Sequence, residues 1–246
     1  MSINQISVVI IAKNAQETID KTLASLKGFH EVVLYLNDSS DATREIAQRY
    51  PNVRIIEGEF IGFGPTKNKA TTFAEASWIL SLDSDEILTE ALIAEIDALP
   101  LQDESELYRL VRDNYFLGHK TQSTDTIVRL YHKAFTRFND NMVHEKVMVP
   151  NEAKLKTLKS HLMHLNITHI NQTLTKIIHY TDLGAEGKKI CFFGTVIARS
   201  LFAFLKTYIL HGNIVRGWVG FALAVNSANK RYYKYLKQYI HCQEEK

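Results

Sequence analysis

The chain has 246 residues, enough to bury a full core in one large domain or in one domain with an appendage. Its 46% hydrophobic and 23% charged residues are those of an ordinary soluble protein and exclude disordered, collagen-like and disulfide-scaffold classes. The net charge of +2 conceals an asymmetry: residues 151–246 carry 14 Lys/Arg against 5 Asp/Glu, residues 1–150 carry 15 against 22, and an acidic first part argues against a nucleic-acid-binding face there.

The opening run Ile6–Ala12 is nearly continuous and β-branched, the pattern of a strand buried on both faces of a parallel sheet. Ile19, Leu23 and Leu26 share one helical face over residues 18–26. Residues 31–36 (EVVLYL) predict a second strand, ended by Asn37-Asp38-Ser39-Ser40. Asp41 then reads as the N-cap of a helix to Tyr50, since its carboxylate can accept a bond from a free helix N–H. A short third strand is expected over 52–57, a glycine-containing loop over 58–65 and a helix over 67–76. Residues 78–82 (WILSL) predict a fourth strand running directly into Asp83-Ser84-Asp85-Glu86. Such strand–helix repetition implies an α/β fold with a doubly wound, mostly parallel, Rossmann-like sheet joined by right-handed crossovers.

From Leu107 the texture changes. Residues 107–112 and 126–133 read as strands, with Asn114-Tyr115-Phe116-Leu117-Gly118 between them. Beyond Thr173 the chain reads as helical, rich in aromatics and Lys/Arg, ending in KRYYKYLK over 230–237. Pro150 marks the expected boundary between a first domain, 1–150, and a helical C-terminal extension, 151–246. Cys191 and Cys242, in no CxxC and with no second ligand pair nearby, point to packed thiols in a reducing compartment and to no zinc site. The run Ile6–Ala12 lacks the length and the preceding basic stretch of a signal peptide. The longest apolar tract, 190–210, is interrupted by Arg199 and Lys206, which argues against a spanning helix.

In open α/β sheets ligands bind beyond the carboxyl ends of the strands, where Asn14, Asp38 and Asp83 fall. Asp83 and Asp85, one residue apart on a turn, can both aim at one divalent cation. Mg²⁺ takes one or two carboxylates plus substrate phosphate oxygens, and it neutralises a departing nucleoside diphosphate. The competing use of either Asp is to cap the helix expected near Thr89. Asp38, an acceptor-only side chain, can bind a ribose hydroxyl or base N–H, or form an Asx turn. Lys67-Asn68, behind Gly62-x-Gly64, can meet a diphosphate at a helix N-terminus, or Lys67 can be a solvated surface lysine. Glu145 in Val143-His144-Glu145 is a candidate general base, with His144 beside it to hold phosphate or orient the acid; the alternative is an exposed polar pair on a strand. His161, His164 and His169 lack a metal-ligand spacing, yet one of them is a candidate neighbour of the cation.

Taken together, these segments resemble the family-2 glycosyltransferases of the GT-A fold. The likeness is carried by residues 7–26 (SVVIIAKNAQETIDKTLASL), 37–50 (NDSSDATREIAQRY), 62–70 (GFGPTKNKA) and 78–86 (WILSLDSDE). It extends to bacterial lipopolysaccharide core glucosyltransferases that add β-1,4-glucose to an inner-core heptose. YRLVRDNYFLG (108–118), IVRLYHK (127–133), VHE (143–145), FAFLKTYILHGNIVRGWVGFALA (202–224) and KYLK (234–237) carry that part. Two departures stand out. Ala15 occupies a position where the family often has an acidic residue, and His119 to Asp125 keeps only the Asp of a Gly-Trp-Pro-Asp-like stretch.

The resemblance implies that 1–150 is the nucleotide-sugar-binding and catalytic domain. Asp38 would contact uracil or ribose, Asp83 the donor nucleotide, and Asn14, Lys67 and Asn68 would line the nucleotide pocket. Asp85 would be the main ligand of Mg²⁺ or Mn²⁺. Glu145 would be the base of a single inverting displacement from a UDP-sugar, with His144, Asp125 and His164 in support. The aromatics and cations of the tail suit a cytoplasmic protein resting on the anionic inner face of a membrane beside a lipid-linked core oligosaccharide acceptor, without nucleic acid. A packed helical subdomain, a polyprenyl-phosphate- or protein-directed transferase, and a non-catalytic sugar-nucleotide-binding protein are the competing readings.

Overall fold

Seven consecutive apolar or small residues, Ile6–Ala12, form strand β1, all of them buried, as a strand covered on both faces requires. Its alternate side chains separate into two cores. Val8 and Ile10 join Leu34, Leu80 and Leu82 on one face; Val9 and Ile11 join Val33, Tyr35 and Ile79 on the other. Strands β2 (Glu31–Leu36), β3 (Val53–Glu57) and β4 (Trp78–Asp83) run parallel with β1 in the order β3-β2-β1-β4. Beyond β4 the sheet continues through β7 (His119–His132), β6 (Glu106–Phe116), β8 (Lys154–Ile167) and β5 (Glu86–Leu88), with β4/β7 and β5/β8 antiparallel. The result is a mixed α/β sheet of eight strands with a parallel half.

Helices α1 (Ile19–Ala24), α2 (Thr43–Ala47), α3 (Phe63–Thr71) and α4 (Glu90–Asp97) connect these strands. The N-cap of α2 is Ala42 and not Asp41 as expected; Asp41, one residue earlier, accepts from the Thr43 N–H at 3.1 Å, and α2 is only five residues long. Helix α3 starts four residues before its predicted beginning. Gly62, at φ 104°, turns the chain into the helix, and Gly64 lets it approach the Asn139 carbonyl, from which a Cβ would lie only 2.0 Å away. Thr89 caps α4 by accepting from the Leu92 N–H, so neither Asp83 nor Asp85 has that task. Strands β6 and β7 are longer than predicted and meet in a tight turn at Leu117 and Gly118, both at positive φ.

The structure describes residues 2–244, which form two units. The first holds the chain up to Asn114 and Ser123–Asn166; the second holds Tyr115–Gln122 and the chain from Ile167 onward. The boundary expected at Pro150 is thus displaced, because 154–167 is not part of a helical extension but strand β8 of the sheet. The second unit consists mainly of helices α5 (Ile170–Ala185), α6 (Phe193–Leu205) and α7 (Gly217–Glu244), with a π-helical turn at Lys206–Leu210 and a 3₁₀ turn at Asn213–Arg216 between the last two. Lys237 ties α7 to Thr181 and Asp182 of α5 at 2.8 and 2.6 Å. Cys191 and Cys242 form a disulfide rather than two packed thiols, so cysteine usage does not argue for a reducing compartment.

Candidate functional site

The register Ile11↔Asp83 and Ala12↔Leu36 aligns the carboxyl ends of β1, β2 and β4, so the chain leaves three neighbouring strands at one edge of the sheet. Asp83 closes β4, and Asp85 lies in the turn before β5. Glu145 reaches the same edge from residues 139–146, an irregular loop closed at its base by the Phe138–Val147 bridge, not from the strand expected there. Helix α3 holds that loop. The N–H groups of Phe63 and Gly64 donate to the carbonyls of Met142 and Asn141, both at 3.1 Å. The amide of Asn68 bonds both backbone groups of Phe138 at 2.9 Å. These bonds satisfy the first donors of α3, so its N-terminus is not the diphosphate cradle that the sequence suggested, and they make Asn68 an anchor of the loop.

Lys67 is not a solvated lysine. It is 2% exposed, lies over the Phe138 ring, and donates to Asp83 Oδ1 at 2.8 Å and Glu145 Oε1 at 2.7 Å. The other Asp83 oxygen accepts from buried Arg129, which also donates to Glu86 Oε1 at 2.7 Å. Arg112 joins the same Glu86 oxygen at 3.0 Å and pairs through both its Nε and Nη2 with Asp125. Burial alone would raise the Asp83 pKa, but the cations of Arg129 and Lys67 hold it far below the usual carboxylate range. Burial likewise disfavours the charged Arg129, and Asp83 and Glu86 reverse that effect. Asp83 is therefore a fixed anion of an ion-pair frame.

Asp85 lies outside that frame. Its Oδ2 is 3.4 Å from Nε2 of His164, whose Nδ1 is 2.7 Å from Oδ1 of Asn114. The Asn114 amide nitrogen donates to the Ser123 carbonyl and Asp125 Oδ1, which turns its oxygen toward the imidazole. An amide oxygen can only accept, so His164 carries a proton on Nδ1 and turns its Nε2 toward Asp85. A carboxylate oxygen and an imidazole nitrogen turned toward each other are two ligand types that one divalent cation can take. Among the described residues no group of three or more His, Cys, Asp or Glu converges as a ready-made metal site, so further ligands would have to come from substrate or water. His161 instead pairs with Asp113 at 3.0 Å.

The other expected residues fall nearby or take supporting work. Asn14, at φ 51°, receives the Ser40 N–H on its side chain and donates its own N–H to Ser39, fastening the β2 loop. Asp38, exposed and at φ 53°, lines a groove of about 500 Å³ with Ser39, Asp41, Glu57 and Glu59. Its lining carries several carboxylates and a single arginine, Arg44, which suits hydroxyl and N–H donors better than phosphate. Asp125 supports the frame through Arg112 and Asn114. His144 is exposed at φ 61° and brings no bond to Glu145. Glu86, Arg112, Asn114 and Arg129 were not foreseen in these roles. The available signal was Arg129 itself, a charge inside the short apolar run Ile127-Val128-Arg129-Leu130-Tyr131.

Residues 7–150 match the model of glycosyl transferase family 2. An uncharacterized glycosyltransferase of Rickettsia bellii is 25% identical over 253 residues, covering 95% of this chain and 85% of that protein. A second, from Rickettsia felis, is also 25% identical, covering 95% and 89%. Among solved structures, S. aureus TarS 1–349 is similar at 15% identity and a TM-score of 0.45, covering 98% of this chain and 92% of that one. Glucosyl-3-phosphoglycerate synthase from Mycobacterium tuberculosis, in complex with Mn²⁺, UDP and phosphoglyceric acid, is similar at 14% identity and a TM-score of 0.47, covering 74% and 76%.

Proposed function

The chain belongs to glycosyl transferase family 2, and on that premise we propose that it transfers a sugar from a UDP-sugar to an acceptor hydroxyl with inversion, using Glu145 as general base. The observation that carries the reading is the Lys67 bridge, which joins Glu145 to the β4 terminus within hydrogen-bonding distance on both sides. Lys67 engages Oε1, and Oε2 is the oxygen to accept the acceptor's proton as its hydroxyl attacks the anomeric carbon. The bond to the departing UDP breaks in the same step, so an α-linked donor gives a β-linkage. Asp38 and the neighbouring acidic groove accept the hydroxyl and N–H donors of the nucleoside. Asp85 and His164 would hold a Mg²⁺ or Mn²⁺ ion, which when bound neutralises charge on the leaving diphosphate.

Glucose as the sugar and an inner-core heptose of a lipid-linked oligosaccharide as acceptor are the finer part of the proposal, supported by the resemblance of 108–145 and 202–237. The cytoplasmic side of a membrane, where nucleotide sugars are made, is its proposed location. UDP release from UDP-glucose, with Mg²⁺ or Mn²⁺ and a heptose-containing core acceptor, tests the reading. Glu145→Gln should lower turnover by about 10²–10⁴-fold while UDP still binds. Asp85→Ala should abolish the metal-dependent part of UDP binding. Wild-type UDP binding without turnover would send the search to other sugars and acceptors; failure to bind any nucleotide would sink the transferase reading.

A further inference from the structure

We propose that the outer face of α6 and the turn after it form an in-plane binding surface for an anionic lipid bilayer, entering one leaflet without crossing it. The inference rests on the second unit alone and goes beyond the transferase chemistry. Phe193, Ile197, Leu201 and Leu205 recur at every fourth residue of α6 with Phe202 beside them, and all five are between 42% and 62% exposed. Helical periodicity of this kind ordinarily marks the side turned to a core. Here the core side is taken by Val196 and Ala203, so the larger apolar face is the one left in solvent. Leu210, Val215 and Trp218 extend it over the turns into the start of α7, with Val215 84% exposed. Exposed large apolar residues recurring over 193–218 mark an interaction site.

Charge identifies the occupant. The 40 residues 190–229 contain Arg199, Lys206 and Arg216 and no Asp or Glu. That acid-free set complements an anionic headgroup layer, whereas a second copy of the same face would bring like charges together. Lys206, exposed beside the stripe, has a stem long enough to keep its ammonium among headgroups while neighbouring apolar side chains sink.

The same packing opposes a spanning helix. Among the described residues Phe193–Leu210 alone is long and apolar enough to cross a membrane by length and composition. Arg199 nevertheless donates from α6 to Tyr235 Oη on α7 at 3.0 Å, with its guanidinium 4.9 Å from that ring's centroid. The Cys191–Cys242 disulfide joins the same two segments. A crossing α6 would therefore draw Tyr235 and its neighbours Arg231 and Lys234 toward the hydrocarbon, where cations are costly. Lying in the plane, α6 needs to sink only its apolar face, about 5–10 Å into the headgroup boundary.

Trp218 makes the test direct, because the chain's other tryptophan, Trp78, is buried in the first unit. The full-length protein is titrated with vesicles of phosphatidylcholine alone, or of phosphatidylcholine and phosphatidylglycerol in equal parts. Tryptophan emission and flotation are both followed. The expected result is a blue shift, quenching by brominated acyl chains, and affinity at least about tenfold higher for the anionic vesicles. Leu201→Asp/Phe202→Asp, at two exposed positions, should lower that affinity at least about tenfold with an unchanged melting temperature. Lys206→Glu, which leaves the apolar stripe intact, should reduce the preference for anionic lipid. Equal binding by wild type and the double variant, or equal affinity for both vesicles, would overturn the proposal. So would an emission shift that follows protein concentration without lipid, since a second copy would then cover the face. UDP binding, measured in parallel, keeps this outcome separate from the fate of the transferase reading.

Discussion

Lys67→Met removes the ammonium between Asp83 and Glu145 but keeps an apolar stem of similar length against Phe138. Breaking a buried ion pair by deleting one partner costs about 3–5 kcal/mol, because the remaining charge is left uncompensated. Here Asp83 keeps Arg129, and Glu145, with 16% of its side chain exposed, can reach water, so the lower end applies, about 3 kcal/mol. In a chain of this size each kcal/mol moves Tm by about 2–4 °C, which gives a fall of about 6–12 °C. The loop carrying Glu145 also loses its tether to β4, and misplacing a reacting group by an ångström costs about a hundredfold in rate. Glu145→Gln is the contrasting change. Its amide oxygen still accepts from Lys67, so Tm should fall by much less while turnover falls through loss of the base. Thermal melts and UDP-release assays on the two variants decide the matter. If Lys67→Met melts within about 2 °C of wild type and turns over within about threefold of it, the bridge neither supports the fold nor positions the base, and the reasoning fails.

The two acids of the turn should part company in the same assays. Asp83→Asn leaves Lys67 and Arg129 short of an anion and should cost about 3 kcal/mol, whereas Asp85→Asn should leave Tm nearly unchanged and remove metal-dependent UDP binding measured by calorimetry. Asn114→Ala frees the His164 ring and should weaken Mn²⁺ binding by about 10–100-fold, as read by electron paramagnetic resonance without acceptor present; unchanged binding would detach His164 from the cation. Glu31 supplies a pH test away from the site: burial would raise its pKa, but bonds from Arg54, Ser7 and the Glu75 N–H bring it below the ordinary glutamate value of 4.5. A depressed folded pKa means stability that is present above the unfolded value and is lost as pH falls through the folded one. The wild-type advantage over Glu31→Gln should thus be about 2 kcal/mol near neutrality and close on acidification below 4.5, and a gap independent of pH would contradict the assignment.

The parallel half of the sheet was legible because its strands are short β-branched runs ended by polar turns, and burial on both faces leaves such runs no other use. The start of α3 was not, since Gly62-Phe63-Gly64-Pro65 has loop composition; its glycines serve a positive φ and a close approach to Asn139, needs that only tertiary contact reveals. Strand β8 was hidden for a different reason. Leu155, Leu158, Leu162 and Leu165 follow a spacing of three, four and three that a helix would also satisfy, and nothing local says that β5 and β6 will flank it. Asp83, Asp85 and Glu145 could be named from residue type and position at strand ends or in the later strand-rich part. Their unequal standing could not, because it is imposed by Arg112 and Arg129, which lie 29 and 46 residues beyond Asp83 on other strands.

That inequality explains what the acidic turn is for. Asp83 and Asp85 look equivalent as Asp-Ser-Asp, yet one has both oxygens committed to buried cations while the other faces an imidazole nitrogen. Lys67, Arg112 and Arg129 stand against Asp83, Asp85, Glu86, Asp125 and Glu145, an excess of two negative charges at the sheet edge. A diphosphate approaching such an edge alone would meet like charge. On the proposed reading a divalent cation is opposite in sign to that excess and equal to it in size, and the surrounding ion pairs hold Asp85 and Glu145 in place without consuming the oxygens that bind the ion and take the proton. On that reading the frame assigns the carboxylates different work: Asp83 and Glu86 fix buried cations, Asp85 would face the leaving group, and Glu145 would face the acceptor.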